Sequence, residues 1–249
     1  MINHLLLDIE GTTCPVTFVT NVLFPYAKEQ LKPFIETHQN NNAIKTILNS
    51  AQQEWEKDTE KQSQKLQDEC QEQNYDQLQS IIIYLSHLIK IDRKSTALKD
   101  LQGMIWESGY KKREFTSPLY DDALQSLYRW KSMLLELSIY SSGSIKAQKL
   151  LYQHTQDGDL LSLFHNWFDT HIGSKKDSKS YEKIARSLES SPCQICFISD
   201  NADECDAAER SGMQTLFCRR NGNPDQNPKH HRSITSLNEL DAYVLKKTN

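Results

Sequence analysis

The stretch that decides the fold is Leu5-Leu6-Leu7-Asp8-Ile9-Glu10-Gly11-Thr12-Thr13, close to the start of the chain. Its apolar residues predict a short buried strand over residues 5–9. Side chains two positions apart on an extended chain point the same way, so Asp8 and Glu10 are expected to converge on one cation. Gly11 lets the backbone turn away from that ligand. From these residues alone, the alternative is an ordinary charged strand end before a loop glycine.

Three later apolar runs have the same character as this first strand, and helical patterns separate them. The predicted strands cover residues 5–9, 135–140, 195–199 and 215–218. The predicted helices cover residues 121–131, residues 145–152 after a capping Ser144, and residues 202–210 before Gly212. Alternation of this kind predicts an α/β fold with a parallel sheet and helices on both of its faces.

A stretch of about a hundred residues between the first and second predicted strands has no strand character. Its apolar residues keep helical spacing, which predicts a helical insertion. We therefore expect a core from residues 1–17 and 116–249, with a helical domain over residues 18–115. Residues 54–79 are rich in Gln, Glu and Lys, which favours a solvated helix face or a partly mobile loop over a binding tail.

The composition of the 249 residues is that of a soluble globular protein, with 37% apolar residues and a formal charge of −4. No dense Lys/Arg tract is present, so nucleic acid is not expected as a partner. No apolar run reaches the roughly 20 residues of a membrane span, and the first apolar stretch is short for a secretory signal. We expect a cytoplasmic protein with no membrane partner. We also expect a monomer, because the sequence shows no exposed apolar repeat that a second copy would cover.

The six cysteines are scattered along the chain, which favours reduced thiols over a disulfide framework. Cys193 and Cys196 form a C-x-x-C pair, for which zinc and redox roles both have to be considered. The pair leads into an apolar strand and has no second C-x-x-C, and His230 and His231 are the nearby metal-type residues in sequence. We therefore do not expect zinc at the cysteines, and a redox role stays open.

Polar groups follow three of the predicted strands, and ligands of open parallel sheets bind at the carboxyl ends of strands. The groups are Asp8 with Glu10, Ser141 to Ser144, and Asp200 to Glu204. Asp8, Glu10 and Asp200 would supply the oxygen ligands that Mg²⁺ prefers, leaving positions for water and a phosphate. Glu204 is expected to have a supporting role at the edge of this site, or to favour the positive first turn of the following helix.

The serine-rich turn and a lysine loop supply candidate anion ligands. Ser141 and Ser142 precede a helix N-terminus, where hydroxyls, free N–H groups and the helix dipole favour phosphate. Simple helix capping is the alternative for this turn. Lys175 lies in a glycine-containing loop and would neutralise phosphate charge, but the adjacent Lys176 leaves the choice open from local sequence.

The order of these features resembles the haloacid dehalogenase superfamily of phosphatases. More narrowly, five segments resemble the acireductone synthases, the enolase-phosphatases of methionine salvage. The segments are residues 6–13 (LLDIEGTT), 23–26 (LFPY), 139–144 (IYSSGS), 147–151 (AQKLL) and 168–173 (FDTHIG). Glu10 is the discriminating residue, because most members of the superfamily have a second Asp at that position.

The resemblance implies a Rossmann-like core, an inserted helical cap, one Mg²⁺ per chain and a small phosphorylated diketone as substrate. The implied reaction converts 2,3-diketo-5-methylthiopentyl 1-phosphate, through an enol phosphate, to the acireductone and phosphate. In the matching motifs, Asp8 corresponds to the metal-binding nucleophile and Lys175 to the G-x-K lysine that contacts substrate. The other matches are Glu10 and Asp200 as metal ligands, with Glu10 also a candidate enolisation base, and Ser141 and Ser142 as substrate-binding residues.

Two departures from the family pattern lie near the predicted site. Residues 151–154 read Leu-Tyr-Gln-His where Phe-Gly-His is usual, and Asn201 stands where Val is common. Neither removes a catalytic group. The alternative activities are a general phosphatase of small sugar phosphates, a haloacid dehalogenase, which has no use for a three-carboxylate metal site, and a binding module without catalysis.

Overall fold

The computed structural model describes residues 2–93 and 95–240. The chain divides into two compact units, one from Met1–Thr20 and Phe115–Asn249 and the other from Asn21–Glu114. The described strands all lie in the first unit, and the second unit is helical. None of the helices within the described ranges has the length and apolar character needed to cross a membrane.

The first unit is built on a six-stranded sheet in which each pairing is parallel. The strands are β1 His4–Leu7, β2 Glu136–Tyr140, β3 Asn166–Phe168, β4 Ile195–Ser199, β5 Gln214–Cys218 and β6 Ser233–Ile234. Their spatial order is β3-β2-β1-β4-β5-β6. β1 is central and its four residues are buried, which explains an apolar run without alternation. The predicted α/β fold with a parallel sheet is confirmed.

The strand register brings the polar segments to one edge. Leu7 of β1 lies beside Ile139 of β2 and Ile198 of β4, so these three strands end at the same level. The residues that follow them, including Asp8 and Asp200, therefore leave the sheet together. This edge is where the structure places the candidate site.

Helices surround the sheet and make up the second unit. In chain order they are α1 Val16–Phe18, α2 Phe24–His38, α3 Asn42–Glu56, α4 Lys61–Glu72, α5 Gln77–Lys90, α6 Thr96–Lys112, α7 Asp121–Ser132, α8 Ile145–Gln153, α9 Ser178–Ser187 and α10 Ala202–Arg210. The predicted caps are present: Ser144 accepts a hydrogen bond from Ala147 N, and Gly212 follows α10 with a positive φ. Pro25 lies in the first turn of α2, where a missing N–H costs nothing.

The helical unit has a core and a buried ion pair of its own. Trp55 stacks on Tyr84 at a centroid distance of 4.8 Å. Asp58 is buried beside them and accepts hydrogen bonds from Arg93 Nη1 at 2.7 and 2.6 Å. Burial raises the pKa of Asp58, but the hydrogen bonds from Arg93, Glu60 N and Ser63 together outweigh burial and hold that pKa below its usual value. The Gln-rich residues 61–72 form α4, with Cys70 packed inward, so this part of the predicted loop or helix face is helix.

The structure differs from the sequence prediction at several strand boundaries. β1 ends at Leu7 instead of Ile9, because the carbonyl of Ile9 accepts hydrogen bonds from the N–H groups of Thr12, Thr13 and Cys14 in a tight turn. β3 and β6 were not predicted. They contain three and two residues, which is too short for a periodic signal.

His4 gives the sheet a pH-dependent stability. Its Nε2 lies 2.8 Å from Ser138 Oγ, and burial, opposed by nearby Glu136, lowers the pKa of His4 from 6.5 to about 4. The unfolded chain therefore takes up a proton below pH 6.5 that the folded chain does not. This stability is present above pH 6.5 and is lost as the pH falls towards 4.

We expect His4 to lower the free energy of unfolding of the wild type by about 2 kcal/mol between pH 7.5 and pH 5, measured against the variant His4→Gln. Glutamine does not titrate, so the variant lacks this contribution, while the other titrating groups act alike in both proteins. Urea denaturation of both proteins at the two pH values measures the difference. An equal change in wild type and variant would contradict the assignment.

Candidate active site

The centre of the candidate site is the buried ammonium group of Lys175. Its Nζ donates hydrogen bonds to Asp8 Oδ1 at 2.7 Å and lies 2.7 Å from Glu204 Oε2. Burial lowers the pKa of Lys175, but the charges of Asp8 and Glu204 more than offset this and hold it above its usual value. The lysine is therefore a fixed positive charge facing both carboxylates.

The loop that carries Lys175 is anchored by two tyrosines. Tyr181 donates its hydroxyl to the carbonyl of Lys175 at 2.7 Å, and Tyr140 donates to the carbonyl of Gly173 at 3.0 Å. Lys176, by contrast, points to the surface and pairs with Asp203 at 2.8 Å. Of the two lysines between which local sequence did not decide, Lys175 is the one that faces Asp8.

Asp8 lies directly after β1 and is held by three donors. Besides Lys175, Ile9 N donates to Oδ1 at 2.8 Å and Ser199 Oγ donates to Oδ2 at 3.2 Å. The Ser199 hydroxyl also lies 3.0 Å from Glu204 Oε2. Sequence analysis did not select Ser199, although its position as the last residue of β4 was a usable signal. These contacts fix the position of the Asp8 carboxylate.

Glu10 and Asp200 surround Asp8 with further negative charge. Burial and the charge of Asp8 raise the pKa of Glu10 to about 7 and that of Asp200 to about 8. Burial likewise raises the pKa of Glu204. Four acidic groups thus share one lysine, and an additional cation would relieve their repulsion. An all-oxygen donor set of this kind fits Mg²⁺ better than a metal that prefers nitrogen or sulfur.

The side chains of Asp8, Glu10 and Asp200 interact electrostatically but do not form a compact chelating trio. Within residues 2–93 and 95–240, the compact trio of metal-type side chains is found at Asp206, His230 and His231. Mg²⁺ commonly uses one or two carboxylates together with water and substrate phosphate. The two carboxylates of Asp8 and Asp200 are as many as such a site commonly uses.

Gly11 is needed at this site for a steric reason. Its φ of +72° lies in the left-handed region, and a Cβ added there would collide with Asp200 Oδ2 and lie 2.7 Å from Asn223 Nδ2. The Asp200 carboxylate therefore packs directly on the Gly11 backbone. This contact connects the end of β4 to the turn after β1.

Two residues that the sequence analysis missed hold the same turn from the side of β5. Arg220 Nη2 donates to the carbonyl of Thr12 at 3.0 Å, while Nη1 donates to both oxygens of Asp122 at 2.9 and 2.8 Å. Asn223 Nδ2 donates to the carbonyl of Gly11 at 2.9 Å. Both residues follow the carboxyl end of β5, so the rule that selected Asp8 and Asp200 applies to them as well.

The serine turn follows β2 at the same edge. Ser141 is buried, and its Oγ accepts a hydrogen bond from Gly143 N at 3.2 Å. Ser144 caps α8, so the capping function is performed by the last serine of the turn. The strand register places Ser141 and Ser142 beside the residues after β1. The exposed Ser142 and the buried Ser141 thus lie at the same edge of the sheet as Asp8.

The two departures from the family pattern have local structural roles. The Asn201 side chain accepts hydrogen bonds from Asp203 N and Glu204 N at 3.0 and 3.3 Å, which caps α10 and orients Glu204. The buried Tyr152 hydroxyl lies 2.7 Å from Thr13 Oγ1, so α8 supports the turn after β1. Asn201 and Tyr152, the two departures from the family pattern, therefore help to hold the backbone segments that carry the site.

Comparisons with known proteins show the family to which the chain belongs. The model of the haloacid dehalogenase-like hydrolase family matches residues 2–212. A relative named Enolase-phosphatase E1 from Parasynechococcus marenigrum (strain WH8102) is 55% identical over 98% of this chain and 99% of its own length. The chain belongs to the enolase-phosphatases of the haloacid dehalogenase-like hydrolases.

A second relative with the same name, from Enterobacter sp. (strain 638), is 40% identical over 97% of each chain. Among solved structures, the UTR4 protein of Saccharomyces cerevisiae is 30% identical with a TM-score of 0.75, covering 95% of this chain and 98% of its own. An L-2-haloacid dehalogenase from Xanthobacter autotrophicus has a TM-score of 0.56 at 14% identity, over 98% of this chain and 99% of its own. That likeness shows the shared fold alone.

The cysteines of the C-x-x-C pair occupy different environments. Cys193 is exposed, whereas Cys196 is buried within β4, and both are free thiols. Cys196 is thus part of the sheet core.

We expect Gly11→Ala to weaken Mg²⁺ binding at least tenfold, because the new methyl group displaces the Asp200 carboxylate. Gly158→Ala is a matched control, since Gly158 also has a positive φ, +98°, but has open space for a Cβ. Both variants should lose about 1–2 kcal/mol of stability through backbone strain. Isothermal titration with MgCl₂ separates the two effects. Equal Mg²⁺ affinity in both variants would contradict the role of Gly11.

Proposed function

We propose that this protein is an acireductone synthase of L-methionine salvage. Its substrate is 2,3-diketo-5-methylthiopentyl 1-phosphate, and its products are 1,2-dihydroxy-3-keto-5-methylthiopentene and phosphate. The observation that carries the proposal is the contact of buried Lys175 with Asp8, at the edge where Glu10 and Asp200 add excess negative charge. The two full-length relatives named Enolase-phosphatase E1 support it.

We assign catalysis to a core of residues 1–17 and 116–249 and the cap to residues 18–115. This assignment is supported by the charged groups of the candidate active site, each of which belongs to the core segments. We also propose that the protein is a cytoplasmic monomer that takes a small-molecule substrate and binds neither nucleic acid nor membrane. The formal charge of −4 and the absence of a dense basic tract in the sequence support the exclusion of nucleic acid.

One Mg²⁺ per chain would be held by Asp8, Glu10 and Asp200. When bound, the ion supplies positive charge to the phosphate oxygens and to the developing enolate. Ser141, Ser142 and Lys175 bind the phosphate. Lys175 also neutralises charge on the transferring phosphoryl group, where electrostatic positioning supplies most of the rate.

Asp8 acts as the nucleophile in the phosphatase half-reaction. A carboxylate oxygen of Asp8 attacks phosphorus in line, and the bond between phosphorus and the substrate oxygen breaks to release the enol product. Water then attacks the aspartyl phosphate, which releases phosphate and restores the carboxylate. The hydrogen bonds from Ile9 N and Ser199 Oγ hold Asp8 in one orientation throughout.

Glu10 is the base that we assign to the enolase half-reaction. A base has to be ionised to take a proton from carbon. Burial and the charge of Asp8 raise the pKa of Glu10, and a bound cation would lower it again and so keep this carboxylate ionised. The proton moves from the carbon beside the carbonyl to Glu10 and leaves an enolate. Return of this proton to the enolate oxygen gives the enol phosphate, whose phosphorus Asp8 then attacks.

A general phosphatase for small sugar phosphates is the alternative, because Asp8, Lys175 and the serine turn recognise the phosphate and not the carbon chain. Competition by simple phosphate esters against the diketo phosphate distinguishes the two. A haloacid dehalogenase activity is disfavoured, since attack on carbon has no use for the carboxylates of Glu10 and Asp200.

The first test measures phosphate release and the ultraviolet absorbance of the enediol from the diketo phosphate, with Mg²⁺ and with a chelator. We expect both signals with Mg²⁺ and neither with the chelator. Asp8→Asn should abolish phosphate release while the fold, followed by circular dichroism, is retained. Phosphate release from simple esters only would support the general phosphatase, and full turnover by Asp8→Asn would contradict the nucleophile.

The lysine pair provides a second test with a built-in control. We expect Lys175→Ala to lower turnover at least 100-fold, because the transferring phosphoryl group loses a preorganised charge. Lys176→Ala should stay within about threefold of the wild type, since Lys176 lies at the surface. Steady-state kinetics of both folded variants gives the comparison. Equal effects of the two substitutions would contradict the assignment.

A further inference from the structure

A compact set of metal-type side chains lies outside the site described above. Asp206 belongs to α10, and His230 and His231 belong to the segment between β5 and β6. One ligand atom from each residue lies within 4.8 Å of the other two. Cys193 and Cys196 are not part of this set, so the histidines noted in the sequence gather with an aspartate instead of the C-x-x-C pair.

Each histidine turns one ring nitrogen towards Asp206 and has the other held by a polar partner. His231 Nε2 lies 2.8 Å from Asp206 Oδ1, and its Nδ1 lies 2.9 Å from Thr215 Oγ1. His230 Nδ1 lies 4.0 Å from Asp206 Oδ1, and its Nε2 lies 2.6 Å from Glu209 Oε2. Metal-binding histidines have this arrangement, because a partner on the outer nitrogen fixes the ring and its tautomer.

The two carboxylate oxygens of Asp206 also have different partners, one facing the histidines and the other facing a lysine. Asp206 Oδ1 faces the two histidines, while Oδ2 accepts a hydrogen bond from Lys229 Nζ at 2.5 Å. Lys229 Nζ also donates to Asp203 at 2.6 Å, so its charge is shared with a second carboxylate. The hydrogen bond from Lys229 therefore holds Oδ2 of Asp206 and leaves Oδ1 available to bind a metal ion.

The set combines a fixed side with an open side. The His231 side chain is 1% exposed, whereas that of His230 is 62% exposed. In a tetrahedral zinc site the ligand atoms lie about 3.3 Å apart. The contact of His231 with Asp206 has to widen slightly. The exposed His230 ring has to move its Nδ1 inward from 4.0 Å while its Nε2 keeps Glu209 as partner. Water completes the coordination on the exposed side.

We propose that Asp206 Oδ1, His230 Nδ1 and His231 Nε2 form a binding site for a divalent transition-metal ion such as Zn²⁺. Two imidazole nitrogens and one carboxylate oxygen favour Zn²⁺, Co²⁺ or Ni²⁺ over Mg²⁺, which prefers oxygen ligands. The site is thus chemically distinct from the carboxylate cluster around Asp8.

A metal ion at this position connects two elements that support the candidate active site. α10 carries Glu204, which pairs with Lys175. The segment between β5 and β6 carries Arg220 and Asn223, which hold the turn after β1. Binding to the folded chain alone raises its stability by mass action. The ion therefore has a structural effect that is measurable without any assay of turnover.

The test is isothermal titration of the whole protein with ZnCl₂ in the presence of excess MgCl₂, which occupies the carboxylate cluster. We expect one equivalent of Zn²⁺ to bind and the midpoint of thermal unfolding to rise. His230→Gln should weaken the affinity at least tenfold. His171→Gln is a matched control, since His171 is exposed and lies 2.8 Å from one carboxylate, Asp169, but is not part of the trio. It should bind Zn²⁺ like the wild type.

Anomalous diffraction from crystals grown with ZnCl₂ and MgCl₂ locates the ion. A zinc peak between Asp206, His230 and His231 would support the proposal. A peak among Asp8, Glu10 and Asp200 with none at the histidines would overturn it. Absence of Zn²⁺ binding in the titration, or equal affinity of the wild type and His230→Gln, would overturn it as well.

Discussion

The interaction on which the rest of the site depends is the buried ion pair of Lys175 with Asp8 and Glu204. A lone ammonium or carboxylate at this depth would be strongly disfavoured, so each group requires the other two. The three residues come from the turn after β1, the loop before α9 and the first turn of α10. Their pairing therefore fixes the relative positions of three separate segments. It also places a permanent positive charge beside the proposed nucleophile, where a phosphoryl group would bind.

The backbone around this ion pair is fixed by packing and by hydrogen bonds. The turn after β1 is packed against Asp200 through Gly11 and is held by hydrogen bonds from Arg220 and Asn223 to its carbonyls. Two neighbouring strands, β4 and β5, thus fix the turn of a third. Such a framework explains how carboxylates of like charge stay close together. Burial and the repulsion from Asp8 raise the pKa values of Glu10 and Asp200, and a further cation at the site would stabilise their charged forms.

Much of the fold could be predicted from the sequence, because β1, β4 and α10 are long or buried enough to give clear patterns. Asp8 and Asp200 were found by the rule that ligands bind at the carboxyl ends of parallel strands. The choice of Lys175 over Lys176 could not be made locally, since its partner Asp8 lies 167 positions away in sequence. The same rule applies to Arg220 after β5, but its bond to Thr12 spans 208 positions, so its partner could not be read from the sequence. Contacts of such range depend on the folded chain and leave no trace in the local pattern.

The measurement that tests the account most directly is a crystal structure of the protein with Mg²⁺ and beryllium trifluoride, a mimic of a phosphoryl group attached to a carboxylate. The account predicts beryllium bonded to a carboxylate oxygen of Asp8, with Lys175 Nζ in contact with the fluoride atoms and Mg²⁺ contacting Asp200. Beryllium attached to another carboxylate, or Mg²⁺ bound away from Asp8 and Asp200, would contradict the account.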